Sequence, residues 1–312
     1  MAINWFPGHM HKARKEIKKI MPQMDLIIEV LDARLPFSSE NPLVPALRGD
    51  TPVIKILNKR DLADPEVTAR WTAYLERERG VRAITLTHNQ RQEALDILRL
   101  AGEMTAGHDR QKSALRVMIL GIPNVGKSTL INTLAGRPVA RTGNEPAVTK
   151  AQQVIKLPDN ILLYDTPGFL WPKLSPEACG YRLAVSGAIR SAVIDYEDVA
   201  LFAAEYLLAA YPDILTERYD LDPLPRDGIA VMDAIAERRR FFGRGGIPDL
   251  HKVAEVLLNE LRSGKLGAVS LETPEMVEEE TRILAEEEAA READEAQAGK
   301  SGKSGKRKHR QS

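Results

Sequence analysis

The chain has 312 residues, and its 44 lysines and arginines balance 44 aspartates and glutamates, so its net charge at pH 7 is zero. That length suits two domains plus a tail. The single cysteine, Cys179, excludes an internal disulfide and a cysteine-based zinc centre. No run of about 18 apolar residues is present to cross a membrane. The N-terminus carries its apolar residues before its charges, the reverse of a secretory signal, so a cytoplasmic protein without membrane attachment is expected.

In chain order, His9 to Gln23 reads as a basic amphipathic helix, with Ile17, Ile20 and Met24 on one face and Lys12, Arg14, Lys15, Lys18 and Lys19 elsewhere. A solvated face and a contact to a phosphate backbone are both open for those charges. Asp25 to Leu31 and Pro52 to Leu57 read as strands. Asp64 is the N-cap and Pro65 the first residue of a helix running to about Glu78. A strand over Val81–Leu86 and a helix from about Gln90 to Met104 follow, and Thr105 to Ser113 has the composition of a linker. Leu115 to Leu120 is a strand leading into a helix at Gly126, and Gln152–Leu157 and Ile161–Tyr164 are further strands. Strands that alternate with helices and are apolar on both faces predict a mostly parallel sheet covered on both sides.

Beyond Pro172 only helices are predicted, over Glu177–Ser186, Val199–Tyr211, Gly228–Arg240 and Leu250–Leu261. Glu272 to Glu295 holds eleven acidic and two basic residues, whereas Lys300 to Ser312 holds six basic and no acidic ones. An exposed helix is allowed over Glu275–Gln297, but it has almost no apolar face. The expected division is an α/β domain over 1–174, an all-helical domain over 175–272 and a charged, mostly disordered tail over 273–312.

Three short motifs carry chemistry. Gly121-Ile-Pro-Asn-Val-Gly-Lys-Ser128 fits a phosphate loop between an apolar strand and a helix. Its glycines let consecutive N–H groups face phosphates, and the helix N-terminus favours an anion. Asn124, Val125, Gly126, Lys127, Ser128 and Thr129 are therefore expected to bind the phosphates, with Lys127 as the point charge and Ser128 as an oxygen ligand for Mg²⁺. Asp165-Thr-Pro-Gly168 follows a strand. Asp165 can hold a Mg²⁺-bound water, and the Gly168 N–H can reach a γ-phosphate without a side chain in the way.

Asn58-Lys59-Arg60-Asp61 ends a strand and fits a guanine reader. An aspartate accepts from both the ring N–H and the exocyclic amine of guanine, a donor pair adenine lacks, so Asp61 selects GTP over ATP. Lys59 would lie along the base and brace the phosphate loop. Alone, this is a charged turn after a strand, and only the company of the other two motifs makes it a base reader. Thr87 and His88, after the next strand, stand where a second base-contacting loop belongs. Between the phosphate loop and Asp165, Thr149 is the candidate second Mg²⁺ ligand and Thr142 the alternative, on a segment of the kind that orders around γ-phosphate. Asp61 precedes Gly121 by 60 residues, the reverse of the usual order in a small GTPase, so the domain is read as circularly permuted.

In this order, the motifs resemble the circularly permuted YlqF/RbgA family of ribosome-biogenesis GTPases. The likeness covers about residues 1–271. It includes Trp5 to Met10, Asp32-Ala-Arg-Leu-Pro36, Asn58 to Asp61, Gly121 to Thr129, Pro146 to Lys150, Asp165 to Gly168, Phe241 to Asp249 and Arg262 to Gly267. The resemblance implies a permuted P-loop GTPase domain, a helical rRNA-binding domain, and late assembly of the large (50S) ribosomal subunit as the role. Phe169 stands where Ras-like enzymes orient water with a glutamine. The resemblance carries that task to His9, and it carries a potassium-linked role to Asn124. Ala147 departs from the family's usual glycine, and the Thr87–His88 loop is divergent. A P-loop ATPase or kinase and a nucleotide-gated rRNA scaffold with negligible catalysis stay open as alternatives. Other RNA candidates are Arg238 to Arg240, Arg244, His251, Lys252, Arg262 and Lys265. DNA is not expected as a partner, and a monomer is.

Overall fold

The computed structural model describes residues 8–87, 91–109, 111–140, 153–171, 174–189 and 191–307. Helix α1 (Gly8–Ile20) runs into a 3-10 turn, and Ile17, Met21 and Met24 are buried while Lys15, Lys18 and Lys19 stay exposed. The apolar stripe read from the sequence is the packed one.

Strand β1 (Leu26–Asp32) is buried along its whole length. Two short helices, α2 (Pro36–Ser39) and α3 (Leu43–Leu47), lead to the equally buried β2 (Val53–Asn58). In α4 (Pro65–Leu75), Asp64 accepts from the Glu66 and Val67 N–H groups at 2.9 and 3.1 Å, as its position before Pro65 requires. Then come β3 (Val81–Leu86), α5 (Arg91–Met104), β4 (Leu115–Gly121), α6 (Lys127–Ala135), β5 (Gln153–Leu157) and β6 (Ile161–Asp165).

The sheet order is β3-β2-β1-β4-β6-β5, with every pair parallel except β5–β6. Ile28 of β1 lies opposite Ile54 on one side and Ile119 on the other. The chain thus starts in the middle of the sheet, walks out to β3, returns to the middle at β4 and walks out to β5. Starting at β4 instead would give the ordinary order, so the fold is circularly permuted. Parallel strands align their carboxyl ends, and the registers pair Asp32 with Asn58, Val30 with Gly121, and Ile119 with Asp165. All the motifs therefore emerge along one edge of the sheet, where α/β folds bind ligands.

The remaining helices are α7 (Glu177–Ser186), α8 (Tyr196–Ala210), α9 (Pro212–Tyr219), α10 (Gly228–Arg239) and α11 (Leu250–Arg262). The other four pack on α8, which buries Val199, Ala200, Ala203, Ala204 and Leu207. Helix α8 begins three residues before its predicted start because Asp195 caps it, accepting from the Glu197 and Asp198 N–H groups. Helix α9 was not predicted. Pro212 ends one helix and serves as the first residue of the next. Glu260 on α11 pins α9, accepting from Arg218 Nε at 2.9 Å and the Tyr219 hydroxyl at 2.8 Å.

After α11, a strap over residues 266–272 returns to the nucleotide-motif half of the chain, with Leu266, Val269, Ser270, Leu271 and Glu272 all buried. Residues 1–273 form one compact unit and 274–312 a second. In the second unit, α12 (Pro274–Arg307) includes the segment for which the sequence allowed a helix, and Arg282 pairs with Glu279 and Glu286 one turn to either side.

Candidate functional site

The phosphate loop needs two backbone conformations that most side chains avoid. Gly126 sits at φ 97° and Asn124 at φ 59°. A Cβ on Gly126 would lie 2.2 Å from the Asn58 amide nitrogen. That approach is a bond, since Asn58 Nδ2 donates to the Val125 carbonyl at 2.6 Å. The base-reading motif is thereby tied to the phosphate loop across 67 residues of chain. Gly168 completes the floor, because a Cβ there would stand 3.2 Å from the backbone of Pro123. The turn after β6 is anchored by the Thr166 hydroxyl donating to the Ile119 carbonyl at 2.9 Å.

Lys127 is buried, with 6% of its side chain exposed, and its ammonium pairs with Asp165 Oδ1. Gln153 Nε2 donates to the other Asp165 oxygen at 3.3 Å. Burial pulls the Lys127 ammonium below the ordinary lysine value, against the opposing pull of Asp165. A buried ammonium needs an anionic partner. The lysine expected on phosphate is here seated on the carboxylate expected beside Mg²⁺. Ser128 and Thr129 are partly exposed at the start of α6. Asn124 donates to the Gly187 carbonyl at 2.9 Å, a contact to the end of α7 that its potassium-linked role does not predict.

On the base-reading side, Lys59 takes a left-handed conformation at φ 61° and opens a 3-10 turn over Arg60–Leu62, on which Asp61 is exposed. Lys59 Nζ donates to Asp32 Oδ2 at 2.8 Å rather than to the phosphate loop. Asp32 also accepts from Arg34 Nε and Nη2 at 2.9 and 2.8 Å, in a fork with both side chains 1% exposed. Burial pushes the Asp32 carboxyl up, but the charges of Arg34 and Lys59 outweigh it and hold it far below the ordinary range. Burial likewise lowers Lys59, opposed by Asp32.

Arg60 reaches Thr85 Oγ1 at 3.0 Å and Glu93 Oε1 at 2.9 Å, and the Thr87 N–H donates to Glu93 Oε2 at 3.2 Å. Thr87 is thus brought beside the base-reading turn. His88, Thr142 and Thr149 lie outside the described residues. His9 falls in α1, but its side chain is outside the description.

Sequence reasoning gave Asp32 and Arg34 no role beyond their place in the family pattern. The signal was an oppositely charged pair, Asp32 and Arg34, at the end of a strand whose other charge is Glu29. Sequence reasoning also offered Arg262 as one of several RNA candidates; its guanidinium donates to the Val185 and Ala184 carbonyls at 2.8 Å and caps α7. Arg239 is shared by Glu260 and the Tyr219 ring. Arg240 and Arg244 stay exposed on either side of Phe242 in the chain, and Phe242 and nearby Ile247 are 46% and 68% exposed.

A family described as "50S ribosome-binding GTPase" matches residues 116–217, beginning in β4 and so leaving the base reader N-terminal to the match. Over 283 residues the chain is 43% identical to Ribosome biogenesis GTPase A of Bacillus cereus, covering 88% of this chain and 95% of that protein. Over 287 residues it is 41% identical to Ribosome biogenesis GTPase A of Priestia megaterium, covering 89% and 99%. The GNP-bound crystal structure of YlqF from T. maritima is similar at a TM-score of 0.59 and 27% identity, over 85% of this chain and 99% of that one. With its phosphate loop, its base reader and its permuted sheet, the chain belongs to the ribosome biogenesis GTPase A (YlqF/RbgA) family of GTP-hydrolysing enzymes.

Proposed function

We propose that this GTPase of ribosome biogenesis is a monomeric, cytoplasmic timer for late assembly of the large (50S) subunit. It binds GTP along the carboxyl edge of the sheet, docks on rRNA, and hydrolyses GTP once seated there. The observation that carries the reading is the 2.6 Å bond from Asn58 to Val125, which supports treating the Asn58–Asp61 motif and the phosphate loop as parts of one site. In this reading Asp61, Lys59 and the Thr87–His88 loop hold guanine, and Asn124 to Thr129 and Gly168 hold the phosphates. Residues 1–174 are the nucleotide-binding part, 175–272 the rRNA-binding part and 273–312 an appended charged tail.

The donor set fits a hard divalent cation. The Asp165 carboxylate has no exposed surface and already holds an ammonium, and the Ser128 hydroxyl is a second oxygen at the start of α6. Ser128 and Asp165, with Thr149, would hold Mg²⁺, which when bound neutralises charge on the phosphates. Asn124 is the residue that would bring K⁺ to the same phosphates. Phe169 is 2% exposed and offers no hydrogen bond to water, so His9 takes the water-orienting role. The rRNA contacts are the exposed face of α1 and the Arg240–Arg244 loop, whose cations neutralise phosphates.

The test compares GTP turnover with and without immature large subunits. Acceleration by the subunit supports the timer, and no acceleration ends it. A His9→Ala variant that keeps stimulated turnover removes the role of His9. ATP that displaces a bound GTP analogue would restore the ATPase alternative. The buried Phe169 favours one second reading, a nucleotide-gated rRNA scaffold. Single-turnover rates on the subunit that match the free protein would select it.

A further inference from the structure

The Asp32–Arg34 fork is held from outside the nucleotide motifs. The Leu271 N–H donates to the Arg34 carbonyl at 2.7 Å. The next residue, Glu272, accepts from the Phe37 and Ser38 N–H groups at 2.6 and 3.0 Å, capping the helix that follows Arg34. Trp71 Nε1 donates to the Glu272 carbonyl at 3.1 Å. The strap reaches the base-reading turn directly as well, because the Val269 N–H donates to the carbonyl of Leu62, the residue after Asp61, at 2.9 Å. Gly264, at φ 75°, passes so close that a Cβ would lie 2.7 Å from Leu62 Cδ2. The other side of the strap belongs to the helical region. Arg182 of α7 donates to the Leu271 carbonyl at 3.1 Å and stands 3.5 Å from Glu272 Oε2.

One path therefore runs from Arg182 of α7 through Leu271 to Arg34 and Asp32, and from Asp32 to Lys59, with Glu272 holding the Phe37–Ser38 turn beside it. Each link between residues is a hydrogen bond, and of these groups Lys59 alone reaches water, with 23% of its side chain exposed. Moving any member out of place leaves a buried charge or donor unpaired, so the links shift together rather than singly.

We propose that Asp32 and Arg34 are positioning residues for Lys59, and that the strap carries the seating of the helical region to them. The grip on the guanine nucleotide then depends on where the helical region sits. The relay rests on the reading of Asn58 to Asp61 as a guanine site. It extends that reading by naming how an RNA surface bound at the helices would change nucleotide release. Asp32 holds Lys59 and Arg34, and it acts on the guanine site through the lysine.

The test is the rate at which a fluorescent GDP analogue leaves the full-length chain, measured for wild type, Asp32→Asn, Lys59→Ala, their double variant and Glu272→Gln. Asp32→Asn and Glu272→Gln are each expected to release about tenfold faster, the scale of one charge-assisted hydrogen bond. The double variant is expected to release no faster than Lys59→Ala. A merely structural Asp32 would add its effect to that of Lys59→Ala, and additivity overturns the relay. Release from Glu272→Gln at the wild-type rate overturns it too. Asp32→Asn leaves Arg34 buried without its carboxylate. If that variant does not fold, Asp32→Asn/Arg34→Met removes the whole pair and replaces it in the cycle. A wild type that binds no guanine analogue sinks the guanine site itself. Normal wild-type binding with unchanged variants sinks only the relay.

Discussion

Gly126 and Asn58 occupy one space: the position a Cβ would take on the glycine is 2.2 Å from the asparagine amide nitrogen. Gly126→Ala must displace Asn58 and also strain a backbone at φ 97°. Asn58→Ala removes the same bond without the clash. Loss of a buried amide bond costs about 1–3 kcal/mol, so Asn58→Ala is expected to weaken GTP-analogue binding by about 5- to 150-fold. Gly126→Ala should weaken it further, and titration with a fluorescent analogue ranks the two.

Lys127 and Asp165 shield each other's charge in a site closed to water. Lys127→Met alone leaves a buried carboxylate unpaired and is expected to cost about 3–5 kcal/mol of stability. Lys127→Met/Asp165→Asn removes both charges and should recover most of it. Urea unfolding of the three proteins decides. A single variant as stable as wild type would show that Asp165 is solvated there.

Asp61 is exposed at the mouth of the site and accepts two donors from guanine in the proposed contact. An asparagine in its place would offer one donor and one acceptor, matching xanthine, which carries a carbonyl where guanine carries an amine. Asp61→Asn is expected to lose GTP affinity by on the order of a hundredfold or more and to gain XTP affinity. Competition between the two nucleotides reads the switch.

Glu29 is buried in the middle of β1, and burial, followed by the nearby charge of Glu40, pushes its carboxyl up to about 8, while Lys55 pulls the other way. The folded value lies above the unfolded one. The folded protein therefore holds the extra proton between them, and stability falls as pH rises from about 4.5 to about 8, then levels. Glu29→Gln deletes this dependence. Its urea midpoint should change less between pH 6 and 8.5 than that of wild type (about that window), with Glu40, Lys55 and Glu78 left in place. Parallel curves would place the titration elsewhere.

Arg240 and Arg244 flank an exposed Phe242 without an internal carboxylate in hydrogen-bond range among the described residues. Replacing both with alanine should weaken binding to large-subunit rRNA and lower the slope of log affinity against log salt by about two. An unchanged slope would move the contact to another face.

Much of this was legible in the chain. Asp64-Pro65 marked a helix start, and β3 fell on its predicted residues, because caps and apolar runs act locally. The phosphate loop was legible because its chemistry fixes residue types at a fixed spacing. Helix α9 escaped because Pro212 reads as a stop as easily as a start. The seat of Lys59 on Asp32, the cap that Arg262 places on α7 and the return of Leu271 to Arg34 escaped for another reason. Each is a contact between distant segments whose charges look, in sequence, like ordinary surface residues.

The walk of the chain through the sheet has a practical corollary. The stretch 105–113 joins the half that carries Asn58 to Asp61 to the half that carries the phosphate loop. A protease cut there would yield two fragments, each holding an incomplete pocket, facing one another across the paired edges of β1 and β4. In such a nicked protein the β1–β4 ladder, the Asn58–Val125 bond and the strap would hold the pieces together, and a bound nucleotide would add to their cohesion.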